Sequence, residues 1–266
     1  TYTTFSMNDG AHAFYHLGTR LAGNALWMDA NHVLAQNRQG TVLDLDVYNN
    51  VVQQTWPLQA AQLMFYHAPF LYFTNNEDGA THTLYRLNLT QPNAVPQQVT
   101  APLPDTRFWL SPNGSTIFYT RNNPQGTYAI DNDGSHERLL HSGPGIPIGY
   151  AEDDSLMLAE QAGQKIQIIK LGTTAQQKEQ VIFADAAPQA TSLCGPTNKV
   201  TVIALCDQNI ALAPYGHGLV LHAYYADGSH DLVYDDLTSG VSHKILSVPD
   251  DTSVQLPGWS RLPNAA

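Results

Sequence analysis

Eleven histidines are the first residues in this chain whose type suggests chemistry. His217, His222, His230 and His243 crowd one region and invite a metal site with imidazole ligands. Their spacing resists a simple one. His217 and His222 are separated by an odd number of residues, so on one strand they face opposite sides, while His12 and His16 share a face but stand about 13 Å apart along an extended chain. Surface or hydrogen-bonded histidines are the better reading, with a site assembled from separate strands left open. Asp131-Asn132-Asp133-Gly134-Ser135 mimics the start of a calcium loop, yet Ser142 stands where that loop needs its bidentate Glu. A tight turn capped by its own carboxylates explains the motif, and Asp153-Asp154, Asp235-Asp236 and Asp250-Asp251 read the same way. No metal and no cofactor is implied. The chain has no Gly-x-Ser-x-Gly elbow, and His136-Glu137-Arg138-Leu139-Leu140 lacks the second His of a zinc helix. A non-enzymatic role is therefore expected.

Cys194 and Cys206 would, if paired, close a short loop at a gain on the order of 3 kcal/mol. A turn at Pro196-Thr197-Asn198 puts Cys194 beside it and Cys206 several residues along the partner strand, beyond the ~5.5 Å that a disulfide spans between Cα atoms. Two buried thiols are favoured over a disulfide.

These residues are carried by strands. Thr3–Tyr15, Thr127–Leu140 and Leu221–Tyr234 each join two alternating runs through an Asn-Asp-Gly or Asp-Gly turn, the signature of a β-hairpin. Looser hairpins cover Thr41–Trp56, Thr83–Thr100 and Lys165–Phe183. Six hairpins in 266 residues recur every ~44 residues, the spacing of four-stranded propeller blades. Two strands should precede each hairpin: Ala25–Met28 and His32–Gln36, Gln62–His67 and Phe70–Thr74, Arg107–Leu110 and Thr116–Thr120, Pro147–Tyr150 and Leu156–Glu160, Ala190–Cys194 and Val200–Cys206. Asn209–Ala213 reads as an insertion. In the last blade Ser242–Val248 and Val254–Ser260 would be completed by the Tyr2–Tyr15 hairpin, so that the N- and C-terminal strands close the ring. The expected fold is an all-β, six-bladed β-propeller forming a single domain over residues 1–266. Because the sequence begins at Thr1, it is also read as an excised part of a longer chain.

Phe108-Trp109-Leu110-Ser111-Pro112-Asn113-Gly114-Ser115, continuing through Asp131-Asn132-Asp133-Gly134, resembles the TolB-type, WD40-like propeller repeat, with Asn113 where that repeat has Asp. Fragments recur at Phe65–Thr74, Ile148–Leu158 and Leu256–Ser260. The resemblance implies periplasmic interaction proteins, extracellular sensors or auxiliary domains of peptidases.

In such a ring the first strand of each blade lines the channel. Trp27, Tyr66, His67, Arg107, Trp109, Tyr150 and Trp259 fall on or beside those strands and are the candidate ligand-binding residues, being of types enriched at binding hot spots. Packing between blades is the competing explanation for the aromatics. Arg107, if buried, needs a carboxylate such as Asp105 or Glu152. A net charge of -11, from 12 basic and 23 acidic residues, excludes nucleic acid as the main partner, and no stretch is long and apolar enough to span a membrane. Low charge with abundant Gln, Asn and Thr points to an extracytoplasmic, monomeric propeller that presents one face to a protein, peptide or glycan. The alternative, a Ca²⁺-dependent lactonase or esterase, needs acidic channel strands where these offer aromatics and small residues.

Overall fold

The computed structural model describes residues 2–6, 12–16, 21–49, 51–58, 61–75, 81–91, 93–104, 106–163, 165–172, 179–187, 190–193, 210–213, 216–249 and 254, and the structural statements concern these residues. The strands fall into two compact units, Thr1–Phe108 with Asn132–Ser135, and Trp109–Asp131 with His136–Ala266.

In the first unit, β1 (Tyr2–Ser6) and β2 (His12–His16) form the expected hairpin, Tyr2 opposite His16. A four-stranded meander follows: β3 (Leu21–Trp27), β4 (His32–Asn37), β5 (Thr41–Asp46) and β6 (Val51–Pro57). The next sheet holds β7 (Ala61–His67), β8 (Phe70–Asn75) and β9 (Thr81–Asn88). Its edge is two short pieces, β10 (Gln97–Gln98) and β11 (Leu103–Pro104), both paired with β9. This corrects the continuous hairpin expected over Thr83–Thr100: Pro96, Pro102 and Pro104 lack the donors that an unbroken ladder requires. Leu34, Val42 and Trp56 pack with Leu63, Leu71, Phe73 and Leu87 between the two sheets. The Asn132–Ser135 turn belongs to this unit, where Arg86 Nη1 donates to the Asn132 carbonyl at 3.0 Å.

The second unit contains three four-stranded meanders: β12 (Phe108–Leu110), β13 (Thr116–Asn122), β14 (Gln125–Asp131) and β15 (Arg138–Ser142); β16 (Gly145–Tyr150), β17 (Leu156–Ala162), β18 (Lys165–Lys170) and β19 (Gln180–Ala186); β20 (Ile210–Leu212), β21 (Gly218–Tyr224), β22 (His230–Asp236) and β23 (Val241–Val248). Phe118 and Ala129 pack against Leu156, Leu158 and Ile169. Met157, Ile166 and Ile168 pack against Leu219, Leu221 and Val233.

The last sheet departs from the sequence reading. Its first strand is Ile210–Leu212, within the segment expected to be an insertion, and Ser242–Val248 pairs with β22 as its fourth strand instead of opening another blade. The Asp227-Gly228 hairpin therefore joins second and third strands, whereas Asp133-Gly134 joins third and fourth. Three buried residues are too few to display a period-2 pattern, so β20 left no signal to count from. Of Ala190–Cys194 the described residues form only an isolated bridge, Ser192 to Tyr224. Val200–Cys206, both cysteines, and all of Val254–Ser260 except Val254 lie outside the described residues.

Burial explains why sequence periodicity works for some strands and fails for others. The four central residues of β4 and β8, and the first four of β13 and β17, are buried. A strand covered on both faces reads as a continuous apolar run. The fourth strands β6 and β23 are mostly exposed.

The SPNG segment shows what its motif does. Asn113 Oδ1 accepts from Ser115 N at 3.0 Å, Ser115 Oγ at 2.7 Å and Ser111 Oγ at 2.9 Å, while Ser111 Oγ accepts from Thr116 N at 2.9 Å. Gly114 takes φ +71°. The side-chain oxygen organises the turn between first and second strands, a role that an Asp oxygen fills equally.

Candidate functional site

Of the candidate channel residues, Trp27, Tyr66, His67, Trp109 and Tyr150 lie on first strands near the turns that lead to second strands, and Arg107 immediately precedes β12. In the first unit Trp27 ends β3 with 41% of its surface exposed, and Tyr66 and His67, half-buried, end β7. Burial, followed by the Asp29 and Asp44 carboxylates, raises the Tyr66 phenol above its ordinary value. Asp44 is itself raised, first by burial. Arg107 is exposed, so the buried guanidinium that needed Asp105 or Glu152 does not arise. In the second unit Trp109 and Tyr150 pack against the Phe118 cluster, with the Tyr150 ring 6.0 Å from that of Phe118. Both serve the core at least in part. Trp259 lies outside the described residues.

The histidine crowd resolves into one bonded pair. His222 Nε2 and His230 Nδ1 are 2.8 Å apart, while His217 and His243 are exposed. Among the described residues no three His, Cys, Asp or Glu side chains converge as a metal site would require. The calcium-like turn uses its carboxylates internally. Asp133 Oδ1 accepts from Ser135 N at 2.9 Å and Ser135 Oγ at 2.6 Å, and Asp131 meets His136 at 2.9 Å and Arg138 at 3.1 Å. Asp227 and Ser229 repeat the first pattern at 3.0 and 2.6 Å.

A cleft of about 570 Å³ opens in the second unit between the β16–β19 and β20–β23 sheets. Met157, Ile182 and Leu237 give it an apolar floor, and Glu152, Asp153, Lys170, Gln180, His217 and Thr238 give it a polar rim. Lys170 Nζ meets Asp153 Oδ2 at 2.7 Å, and His217 Nε2 lies 3.9 Å from Glu152 Oε2. Burial pushes the Asp153 carboxyl up, but bonds from Lys170 and Ser155 outweigh it and hold the group below the usual carboxylate value. Gly216, at φ +75°, brings its backbone so near Ala151 that a Cβ would stand 3.0 Å from the Ala151 Cα. That close approach shapes one wall of the cleft. The sequence marked Asp153-Asp154 as a turn and gave no sign of the cleft, whose walls come from segments some sixty residues apart.

No family model matches the chain, and no curated protein matches it in sequence. Solved structures match its fold. A TolB protein of Agrobacterium tumefaciens is similar at TM-score 0.50 and 14% identity, over 93% of this chain and 90% of its own. The β-propeller domain of Cps50 (Swd1) from Myceliophteria thermophila is similar at TM-score 0.52 and 14% identity, over 93% and 83%. This is a β-propeller fold. A chain of the Mitotic Checkpoint Complex is similar too, at TM-score 0.51 and 12% identity, over 96% of this chain and 74% of that one. The four-stranded meanders are thus propeller blades. The cleft lies at the end of two neighbouring blades where the first strands turn into the second, which is also where Trp27 and Tyr66 stand on theirs.

Proposed function

We propose that the chain is a non-catalytic, monomeric binding propeller, six-bladed and closed by its two ends. In this reading it engages a protein or peptide through the blade ends that carry the turns between first and second strands. The observation that supports this most is the 570 Å³ cleft, whose volume suits a ligand of a few residues. Its floor of Met157, Ile182 and Leu237 offers contact area to an apolar side chain. The rim charges already pair within the walls, so an uncharged segment enters without displacing an ion pair. The likeness to a chain of the Mitotic Checkpoint Complex, an assembly, is in keeping with a protein partner. A surface low in charge and rich in Gln, Asn and Thr supports an extracytoplasmic setting.

Selection of peptides from a random library on the immobilised chain tests the reading. Peptides carrying an apolar anchor should be enriched, and Thr238→Trp, which fills the cleft from its exposed rim, should weaken them at least about tenfold. Asp227→Asn, on a turn at the opposite blade end, should leave them unchanged. Equal binding to Thr238→Trp, or no enrichment, refutes the proposal.

A further inference from the structure

The His222–His230 pair takes no part in the cleft. His222 is 0% and His230 6% exposed, and their rings join through Nε2 and Nδ1 at 2.8 Å. Opposite pairing of His222 with Leu232 and of Tyr224 with His230 brings all four side chains to one face of the β21–β22 ladder. The Tyr224 ring stacks on His230 at 5.1 Å, with 13° between planes, and its hydroxyl lies 3.4 Å from His222 Nδ1. The Val254 backbone also bonds His222, a bond that favours the charged ring but is outweighed by burial and by His230.

An imidazole–imidazole bond needs one nitrogen as acceptor, so it exists only while at least one ring is neutral. Two protonated rings would place cationic nitrogens in contact at a site almost closed to solvent. The surroundings offer little relief. Asp231 follows His230 and so faces the other side of β22, where Lys244 of β23 holds it at 2.9 Å. His243 of β23 stands opposite Tyr234 and is exposed. Tyr225 flanks Tyr224 and feels Asp231, Asp235 and Asp227. Among the described residues the charged neighbour acting on His222 is His230 itself.

We propose that the His222–His230 pair is an acid-sensitive latch, which ties β21 to β22 near neutral pH and opens when acidification protonates both rings. Burial first, and His230 second, hold the His222 imidazole below the ordinary histidine value. The folded state therefore binds fewer protons at this site than the unfolded chain. The latch's stability is complete above the unfolded histidine value near 6.5 and is lost as the pH falls below it.

Two measurements on the full chain test this. The first is the thermal midpoint from pH 8 to pH 4.5 for the natural chain and for His222→Gln; the second is the nitrogen NMR shifts of the His222 ring in the natural chain over the same range. The natural chain should lose at least about 3 °C more than the variant between pH 7 and pH 5. The His222 nitrogens should keep neutral-ring shifts at a pH where a histidine in an unfolded peptide has already titrated. Parallel midpoint curves, or a His222 ring that titrates like the peptide, overturn the latch. If His222→Gln does not fold, the ring titration decides alone.

Discussion

His141 on β15 hydrogen-bonds Glu179 through Nδ1 and sets Nε2 at ion-pair distance from Glu160, both on the neighbouring blade, and replacing it by alanine should be among the costliest polar substitutions in the second unit. Nδ1 lies 2.8 Å from Glu179 Oε2 and Nε2 lies 2.7 Å from Glu160 Oε2, with the ring 5% exposed. Glu160 is 19% exposed and its other oxygen accepts from Gln167 at 2.7 Å, whereas Glu179 is 51% exposed. The Glu179 arm is solvent-screened and contributes at most about 1 kcal/mol. Removing the partner of a largely buried carboxylate costs ~3–5 kcal/mol, and Glu160 falls at the low end because it is partly wet and keeps Gln167. The expected loss for His141→Ala is about 3 kcal/mol, or roughly 6–12 °C in the midpoint of a unit this size. Urea unfolding should rank His141→Ala above Glu160→Gln and both above Glu179→Gln. The double substitution His141→Ala with Glu160→Gln should lose less than the sum of the two. A Glu179→Gln loss equal to that of His141→Ala, or strict additivity, would refute a clamp centred on Glu160.

Asn113→Ala removes the acceptor for three donors in the turn between β12 and β13 and should cost about 1–2 kcal/mol by chemical denaturation, while Asn113→Asp, which keeps that oxygen, should stay within about 0.5 kcal/mol of the natural chain. Gly134 and Gly228 both take φ +88°, yet a Cβ at Gly134 would meet the Val99 carbonyl oxygen at 2.8 Å and one at Gly228 meets nothing within 4 Å. Gly228→Ala should therefore cost only the backbone strain of about 1 kcal/mol, and Gly134→Ala clearly more; equal losses would mean that the Val99 contact gives way freely.

Local chemistry determined much of this protein from sequence alone. Turns built by Asn, Asp, Ser and Gly bond within a few residues, so Ser111–Ser115, Asp131–Ser135 and Asp227–Ser229 are readable wherever they stand. Alternation between those turns specified hairpins, and their recurrence pointed to four-stranded blades. Strand order within a blade was less readable, because a turn of one chemistry serves more than one connection. Asp133-Gly134 leads to an outer strand and Asp227-Gly228 to a third strand, and the three residues of β20 were too short to tell the two cases apart. The candidate residues divided along the same line. Trp27 and Tyr66 were found by lying on first strands, but whether an aromatic faces solvent or core, as Trp27 and Tyr150 differ, depends on what the next blade places against it. Contacts between distant segments were decided only by tertiary structure. The cleft between β16–β19 and β20–β23, the His141 clamp and the buried His222–His230 pair each depend on register and on sheets packing face to face, and neither leaves a mark on the spacing of residues along the chain.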